Sequence, residues 1–325
     1  MIDILAWLEQ GACYPKFCWI GAGRAFAAIG AKGVHRSMPS GFAYGVIPFE
    51  GEGIFIEPEK TCEGSILPGG FGVDLQPLDS FEEWQRRFEA AKAAPYEKVV
   101  ISRRFHGECS SPYSAFRSMD YSAGIGFFYM PDAEHAFFGV SPERLFQLEG
   151  GVVQVDAVAG TRPLTGEPHL DERYARELLF SPKERYEHHL VTEHIEEILG
   201  FAPGEVFIRE SGPVQHLCQE FVGDTQLSTH ELLSKLHPTP AVAGAPAQVI
   251  RMVEGFDRGW FAGAVGIIDG RSDALFAVSI RSGLWQGGRL TWYAGCGITE
   301  SSDCLAEWEE TARKSEVMRC VKIST

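Results

Sequence analysis

The chain has 325 residues, with 44 acidic against 29 basic side chains and a formal charge of −15. With 45% hydrophobic and 22% charged residues it has a globular composition, and its length suits one large domain or two ordinary ones. This acidity disfavours a nucleic-acid backbone or an anionic membrane as main partner, since both need a basic face; a small anionic substrate needs local help from a cation or arginines.

From the amino end, MIDILAWLEQ carries Asp3 and Glu9 where a secretory leader would be basic and then cleanly apolar. It reads as the start of the folded chain. No run approaches the roughly 18 apolar residues of a membrane span. Residues 1–80 look turn-rich and irregular, with short apolar pieces at Phe42–Ile47 and Gly53–Ile56. Ser80–Ala93 reads as a helix, with Ser80 as N-cap and Glu83 at the capping-box position. Lys98–Arg103 is a strand rich in β-branched residues. Phe137–Val140 and Arg144–Leu148 suggest a hairpin, and Glu149–Gly151 is a turn before the strand Val152–Val158. Glu172–Leu199 is the longest helical stretch, broken near Ser181–Pro182; Leu190, Val191, His194, Ile195, Ile198 and Leu199 mark a buried stripe within it. Gly263–Asp269, Ala274–Arg281 and Leu290–Ala294 are three strands, and Ala306–Val321 is a terminal helix. Strands in adjacent pairs with helices between the pairs point to antiparallel sheets with packed helices rather than a doubly wound parallel sheet.

Eight cysteines form no CxxC pair and no zinc-like spacing, and read as reduced cytoplasmic thiols. His188, His189 and His194 form no HExxH, so zinc is not expected. Two carboxylate pairs stand out. Glu184 and Glu187 share a helix face, as do Glu307 and Glu310, with Lys314 four residues after Glu310. Two such helices could hold Mg²⁺, which takes oxygen ligands and keeps several waters; by spacing alone the same residues also read as solvent-facing helix charge. Lys98 is either a base on a partly apolar strand face or a solvated strand end. Glu143, after FFGVSP, is either a carboxyl kept protonated by apolar surroundings or a surface turn charge. Ala159–Pro163 (AGTRP) and Tyr293–Ile298 (YAGCGI) each follow a strand, where glycines let backbone N–H groups approach a ligand; ordinary turns would look the same. Arg281 could pair with a substrate carboxylate or cap a strand end.

In their order along the chain, EKVVISR, SPERLF, AGTRP, KERYEHHLV, LHPTPAVAG, FDRGWFAGAVG, SIRSG, YAGCGI and EWEETARK resemble the chorismate-utilising enzymes, from about Glu97 to the carboxyl end, some 70% of the chain. Within that family the resemblance is to isochorismate synthase. Lys98 matches the lysine of the water-using members, which the ammonia-using anthranilate synthases lack. Ala159 stands where aminodeoxychorismate synthases carry a lysine nucleophile, and LHPTPA differs from the Phe-Pro-Ser version of the salicylate synthases.

The resemblance implies an α+β fold in a single large catalytic domain: two packed antiparallel sheets with outer helices and a site in the cleft between them. Residues 1–80 would be a short region packed on a chorismate-binding catalytic domain over 81–325. The implied reaction is conversion of chorismate to isochorismate. Lys98 takes a proton from the water that adds at C2, and Glu143 protonates the departing C4 hydroxyl. Mg²⁺ would be held by Glu187 and Glu310, with Glu184 and Glu307 on its waters. Arg281 and the backbone at Gly295 and Gly297 would bind the enolpyruvyl carboxylate, with Tyr293 nearby and Lys314 assisting. Gly160 and Thr161 would contact the ring carboxylate or C4 region, and His216 would orient substrate. The expected protein is a monomer without a glutamine amidotransferase partner, whose product serves menaquinone, siderophore or salicylate synthesis. Salicylate synthase, which also releases pyruvate, is the alternative. The region before Glu97 is shorter than relatives carry, and Cys296 stands where a smaller residue such as alanine is the norm.

Overall fold

The computed structural model describes residues 2–270 and 273–316. In chain order these form α1 (Ile4–Gln10), β1 (Lys16–Gly21), β2 (Arg24–Ile29), β3 (Gly33–His35), β4 (Ala43–Ile47), β5 (Ile54–Glu57), β6 (Lys60–Glu63) and β7 (Gln76–Pro77). Next come α2 (Phe81–Ala93), β8 (Val99–Glu108), α3 (Pro112–Arg117), β9 (Ile125–Met130), β10 (His135–Ser141), β11 (Arg144–Glu149) and β12 (Val152–Pro163). Then follow α4 (Pro168–Phe180), α5 (Pro182–Leu199), β13 (Phe207–Ser211), β14 (Val214–Asp224), α6 (Thr229–Leu236) and α7 (Ala247–Glu254). The last elements are β15 (Ala264–Asp269), β16 (Asp273–Val278), β17 (Ser282–Gln286), β18 (Arg289–Ile298) and α8 (Cys304–Ser315).

The strands make two nine-stranded antiparallel sheets. One has the order β6-β2-β1-β9-β10-β17-β18-β8-β7, the other β13-β14-β12-β11-β16-β15-β4-β5-β3. An aromatic core fills the space between them; Phe17, Trp19 and Phe127 come from the first sheet and Tyr44, Val265 and Leu275 from the second. Phe17 stacks on Tyr44 across this interface at 4.2 Å between ring centres. Helices cover the outer faces. In α2, Trp84, Phe88 and Ala91 recur at helical spacing and are buried, and a ring such as Phe88 contributes about 1.5–3 kcal/mol by leaving water.

Several elements form where local chemistry places them. Ser80 and Glu83 close a reciprocal capping box at the start of α2. Ser181 ends α4 and N-caps α5, which is the expected break, although α4 starts earlier than expected, at Pro168. Val191 and Ile195 carry the buried stripe of α5, while His194 is only half buried. The expected terminal helix appears as α8, starting at Cys304 behind the N-cap Asp303; positions 317–321 of that expectation lie outside the described residues. The stretch 1–80 is woven into both sheets, since β1, β2, β6 and β7 join the first and β3, β4 and β5 the second.

Three local expectations fail for identifiable reasons. Phe137–Val140 and Arg144–Leu148 do not form a hairpin, because β10 belongs to the first sheet and β11 to the second. A two-residue hairpin turn needs positive-φ residues, which Pro142-Glu143 cannot supply, so the chain crosses between sheets instead. Ala274–Arg281 is not one strand: β16 ends at Val278, Arg281 takes a left-handed φ of 50°, and β17 continues in the other sheet. AGTRP and YAGCGI do not follow strands but lie within β12 and β18. A bulge between Ala159 and Thr161 absorbs the irregularity of the first, and the second pairs with β8 as far as Ile298.

The two crossings run side by side. Val140 N donates to Arg281 O at 3.2 Å, and Val278 N donates to Glu143 O at 3.1 Å. A methyl group on Gly139 would collide with the Arg281 carbonyl oxygen and the Ser282 Cβ. Gly139→Ala is therefore expected to cost about 1–3 kcal/mol of stability, read from the shift of the urea midpoint; an unchanged midpoint would show that the crossings can separate freely.

Candidate active site

The crossings bound a cavity between the sheets. Glu143, Gly160, Thr161, His216 and Arg281 line one side of it. Glu187, Tyr293, Gly295, Gly297 and Lys314 line the other, with Val242, Arg258 and Phe261 beside them. Sequence motifs scattered from Glu143 to Lys314 thus meet around one space.

Glu143 is 2% exposed. Its N–H donates to Ser141 Oγ at 3.2 Å, and that hydroxyl donates back to the Glu143 carbonyl oxygen. Its carboxyl Oε1 is buried with no hydrogen-bond partner. Burial, then the charge of Asp156, pushes the Glu143 carboxyl up to about 8. The group is therefore protonated at neutral pH, the state a proton donor needs. A surface turn charge is excluded.

Arg281 is 5% exposed and stands at the strained φ of the second crossing. Its Nη2 lies 3.1 Å from His216 Nε2, and His216 Nδ1 lies 3.0 Å from Gly160 O and 3.2 Å from Thr161 Oγ1. A carbonyl oxygen only accepts, so Nδ1 carries the proton and Nε2 accepts from the guanidinium. Burial, followed by the charges of Arg281 and Lys314, holds His216 well below its ordinary range. His216 is thus neutral, donating through Nδ1 to Gly160 O and accepting through Nε2 from Arg281. Burial lowers Arg281 to about 10, against the attraction of Glu310 and Glu143, so it keeps its charge at neutral pH.

Lys98 immediately precedes β8 and is 2% exposed, not a solvated strand end. Its Nζ lies 2.9 Å from Glu187 Oε1. Lys98 also borders an outer groove with Tyr96, Leu190 and Pro240, and it reaches the central cavity through Glu187. Burial alone would raise the Glu187 pKa, but Lys98, Lys314 and Lys183 together bring it below the ordinary value. A methyl on Gly297 would fall 2.5 Å from both Glu187 Oε1 and Lys98 Cε, so only glycine leaves room for this pair.

The two helical carboxylate pairs are not solvent-facing: Glu184 is 4% and Glu307 3% exposed. Arg162 Nη1 donates to Glu184 at 2.7 Å, and Lys183 Nζ to Glu307 at 2.5 Å. Lys314 Nζ donates to Glu310 at 2.6 Å and to Gly295 O at 3.0 Å. Each of these four carboxylates, Glu187 included, is therefore paired with a cation. Their crowding is visible in Glu307, which burial and then Glu310 raise to about 7, and in Glu184, which burial and Glu187 raise. Buried, mutually repelling oxygen donors on two helices suit a hard divalent cation. Among the described residues no three His, Cys, Asp or Glu side chains converge into a ready-made metal cage. An ion that keeps most of its waters needs only one or two carboxylates. His188, from the rejected zinc set, bonds Gln219 Oε1 through Nε2 at 3.1 Å.

The open edge of β18 completes the cavity. β17 pairs with β18 only as far as Tyr293, whereas β8 continues to Ile298. Gly295 O accepts from Lys314 and Gly297 O from Ser302 Oγ, so both peptides turn away from β8 and their N–H groups share that edge. The Tyr293 ring stacks on Phe261 at 4.9 Å. The Cys296 thiol is buried and pushed well above its ordinary range, hence unreactive.

Reading the sequence missed two buried ion clusters. Arg258 pairs with Glu254 and donates to the Val100 and Val242 carbonyls, while Glu254 accepts from Ser102 N. Asp156 accepts from Arg144 and Arg209 beside the first crossing. Glu254 and Arg258, four residues apart, carried the only signal, and spacing does not report burial.

Residues 76–321 match the family of chorismate binding enzymes. Isochorismate synthase MenF of Bacillus subtilis is 34% identical over 258 residues, 73% of this chain and 55% of that protein. Isochorismate synthase MenF of Haemophilus influenzae is 28% identical over 97% of this chain and 88% of its own length. The chain thus spans about half the length of the first relative and most of the second. A crystal structure described as the 2,3-dihydroxybenzoate-specific isochorismate synthase DhbC from Bacillus anthracis superposes with a TM-score of 0.84 at 26% identity, covering 96% of this chain and 97% of that one.

The buried carboxyl has a thermodynamic consequence. Between the ordinary value of 4.5 and about 8, native Glu143 keeps a proton that the unfolded chain has lost. The contribution of this carboxyl to stability must therefore fall as pH rises through that window. In urea unfolding, Glu143→Gln is expected to gain on the wild type steadily from about pH 5 to about pH 8; a constant difference would show that the carboxyl ionises as freely in the fold as outside it.

Proposed function

The chain belongs to the chorismate-binding enzymes, and from that premise we propose that it is an isochorismate synthase, an isomerase that converts chorismate to isochorismate. The observation that carries the reading is Glu143: a carboxyl protonated at neutral pH, with Oε1 unpartnered, in a cavity it shares with Arg281 and Lys314. Chorismate is a dianion and the protein is strongly acidic. Binding therefore depends on local cations held in a dry site, where their charge acts strongly.

In the proposed reaction a water oxygen bonds to C2 of the ring, the ring double bond shifts, and the C4–O bond breaks. Lys98 takes the proton of the entering water, and Glu143 gives one to the departing hydroxyl, which leaves as water. Arg281, held in place by neutral His216, binds the enolpyruvyl carboxylate together with the N–H groups of Gly295 and Gly297, and Lys314 adds positive charge beside them. Tyr293 gives that end of the substrate an aromatic wall. Gly160 and Thr161 border the ring carboxylate and C4 region. Glu187 and Glu310 would hold Mg²⁺, with Glu184 and Glu307 on its waters. The ion would supply positive charge for the ring carboxylate.

All these residues fall within 81–325, which we take as the catalytic part, with 1–80 as supporting scaffold. The protein is proposed to act as a monomer in the cytoplasm, using water and no glutamine amidotransferase partner, and to feed menaquinone or siderophore synthesis. The seven described cysteines are free thiols, which suits a reducing compartment; Cys320 lies outside the described residues. No helix among the described residues is long and apolar enough to cross a membrane.

NMR of chorismate incubated with the protein and Mg²⁺ is expected to show isochorismate; abundant salicylate and pyruvate would replace the reading with salicylate synthase, and unchanged chorismate would remove it. Lys98→Ala is expected to lower kcat by about 10²–10⁴-fold with little change in KM, and full activity in that variant would free Lys98 of its role as base. For Glu310→Gln, the Mg²⁺ concentration giving half the maximal rate should rise about 10–100-fold; an unchanged titration would place the ion elsewhere.

A further inference from the structure

The Glu143 backbone is held from every side while its carboxyl end is free. Its own N–H and carbonyl are bonded by Ser141 Oγ and Val278 N. The peptides on either side of it are tied to a charged cluster that does not line the cavity. Arg209 Nη1 donates to Pro142 O at 3.1 Å and to Asp156 Oδ2 at 2.7 Å. Arg144 N donates to Asp156 Oδ2 at 3.1 Å, and Arg144 Nη2 to Asp156 Oδ1 at 2.7 Å. Asp156 is 4% exposed and sits on β12, so one carboxylate gathers the peptide after Glu143 and the guanidinium that grips the peptide before it.

We propose that Asp156, acting with Arg209, is the positioning residue for Glu143: it holds the first crossing so that the free carboxyl points into the cavity at the reacting C4–O bond. This rests on the reading of Glu143 as proton donor. The geometry excludes a direct role for Asp156, because both of its oxygens are taken by arginine and main-chain donors. A side chain so engaged acts through what it holds, and misplacing a reacting group by about 1 Å can cost about a hundredfold in rate.

The cluster also sets the charge around Glu143. The charged groups acting on that carboxyl are Asp156 on β12, Lys98 before β8, Arg209 on β13 and Arg281 at the second crossing. Asp156 favours the protonated carboxyl, and the three cations oppose it. Removing Asp156 or Arg209 should therefore move the alkaline limb of activity in opposite directions, which loss of structure alone would not do.

The test uses the full chain with chorismate and Mg²⁺. Asp156→Asn is expected to lower kcat about 10–100-fold, to leave KM within a few-fold, and to move the alkaline limb of kcat/KM to lower pH. Asp156→Glu should restore most of the rate. Arg209→Gln should also lower kcat but move the limb to higher pH, and it gives the answer if Asp156→Asn fails to fold by circular dichroism. Unmoved limbs in folded variants, or losses confined to KM, would overturn the assignment. Glu143→Gln is measured alongside. If it keeps full turnover, the reading of Glu143 fails; if it is inactive while both cluster variants behave as wild type, only the positioning role falls.

Discussion

Two chain segments that pass from one sheet to the other, hydrogen-bonded to each other as they cross, are the constraint on which the site depends. β10 continues into β11 and β16 into β17, and these strands are neighbours near the middle of both sheets. At the crossings the ladders open, and the residues there, Glu143 and Arg281, are left buried without strand partners on all sides. Burial then does the chemistry's preparatory work. It keeps the carboxyl protonated while leaving the guanidinium charged at neutral pH, which puts a neutral acid and a cation in one buried cavity.

A second arrangement answers the problem of placing acid groups in such a space. Four carboxylates from α5 and α8 approach the cavity, and each meets a lysine or arginine. These pairs are structural as well as electrostatic: Lys183 joins α5 to α8, and Lys314 ties α8 to β18. Removing one of these cations would take the direct partner from a carboxylate largely withdrawn from water, a change that costs more than loss of an exposed pair.

What could be read from the sequence was local. The capping box at Ser80 and Glu83, the break at Ser181, and the β-branched run after Lys98 each depend on neighbours a few residues away, and each appears as expected. Which sheet a strand joins is not local information. HAFFGVSPERLF has a short apolar run suited to a strand on both sides of Pro142, and only the presence of the partner strands decides that the two halves separate. The same holds for charge. Asp156 and Arg209 are 53 positions apart, and nothing near either suggests that they meet. His216 was assigned to the pocket by its motif, yet its bond to Arg281 appears only when β14 is laid beside the bulge of β12. The carboxylate spacing was compatible with two opposite environments, and burial distinguished them.

The central position of the crossings also bears on how such a protein can vary. Strands β6, β7 and β3 lie at the sheet margins, several strands away from Glu143 and Arg281; β13 is also marginal but is bound to the middle through Arg209. Material can be trimmed from or added to the first three margins with little mechanical effect on the middle. Relatives that differ greatly in length could then share one reaction centre, with evolutionary drift in size concentrated at the periphery and the innermost strands kept as the inherited part.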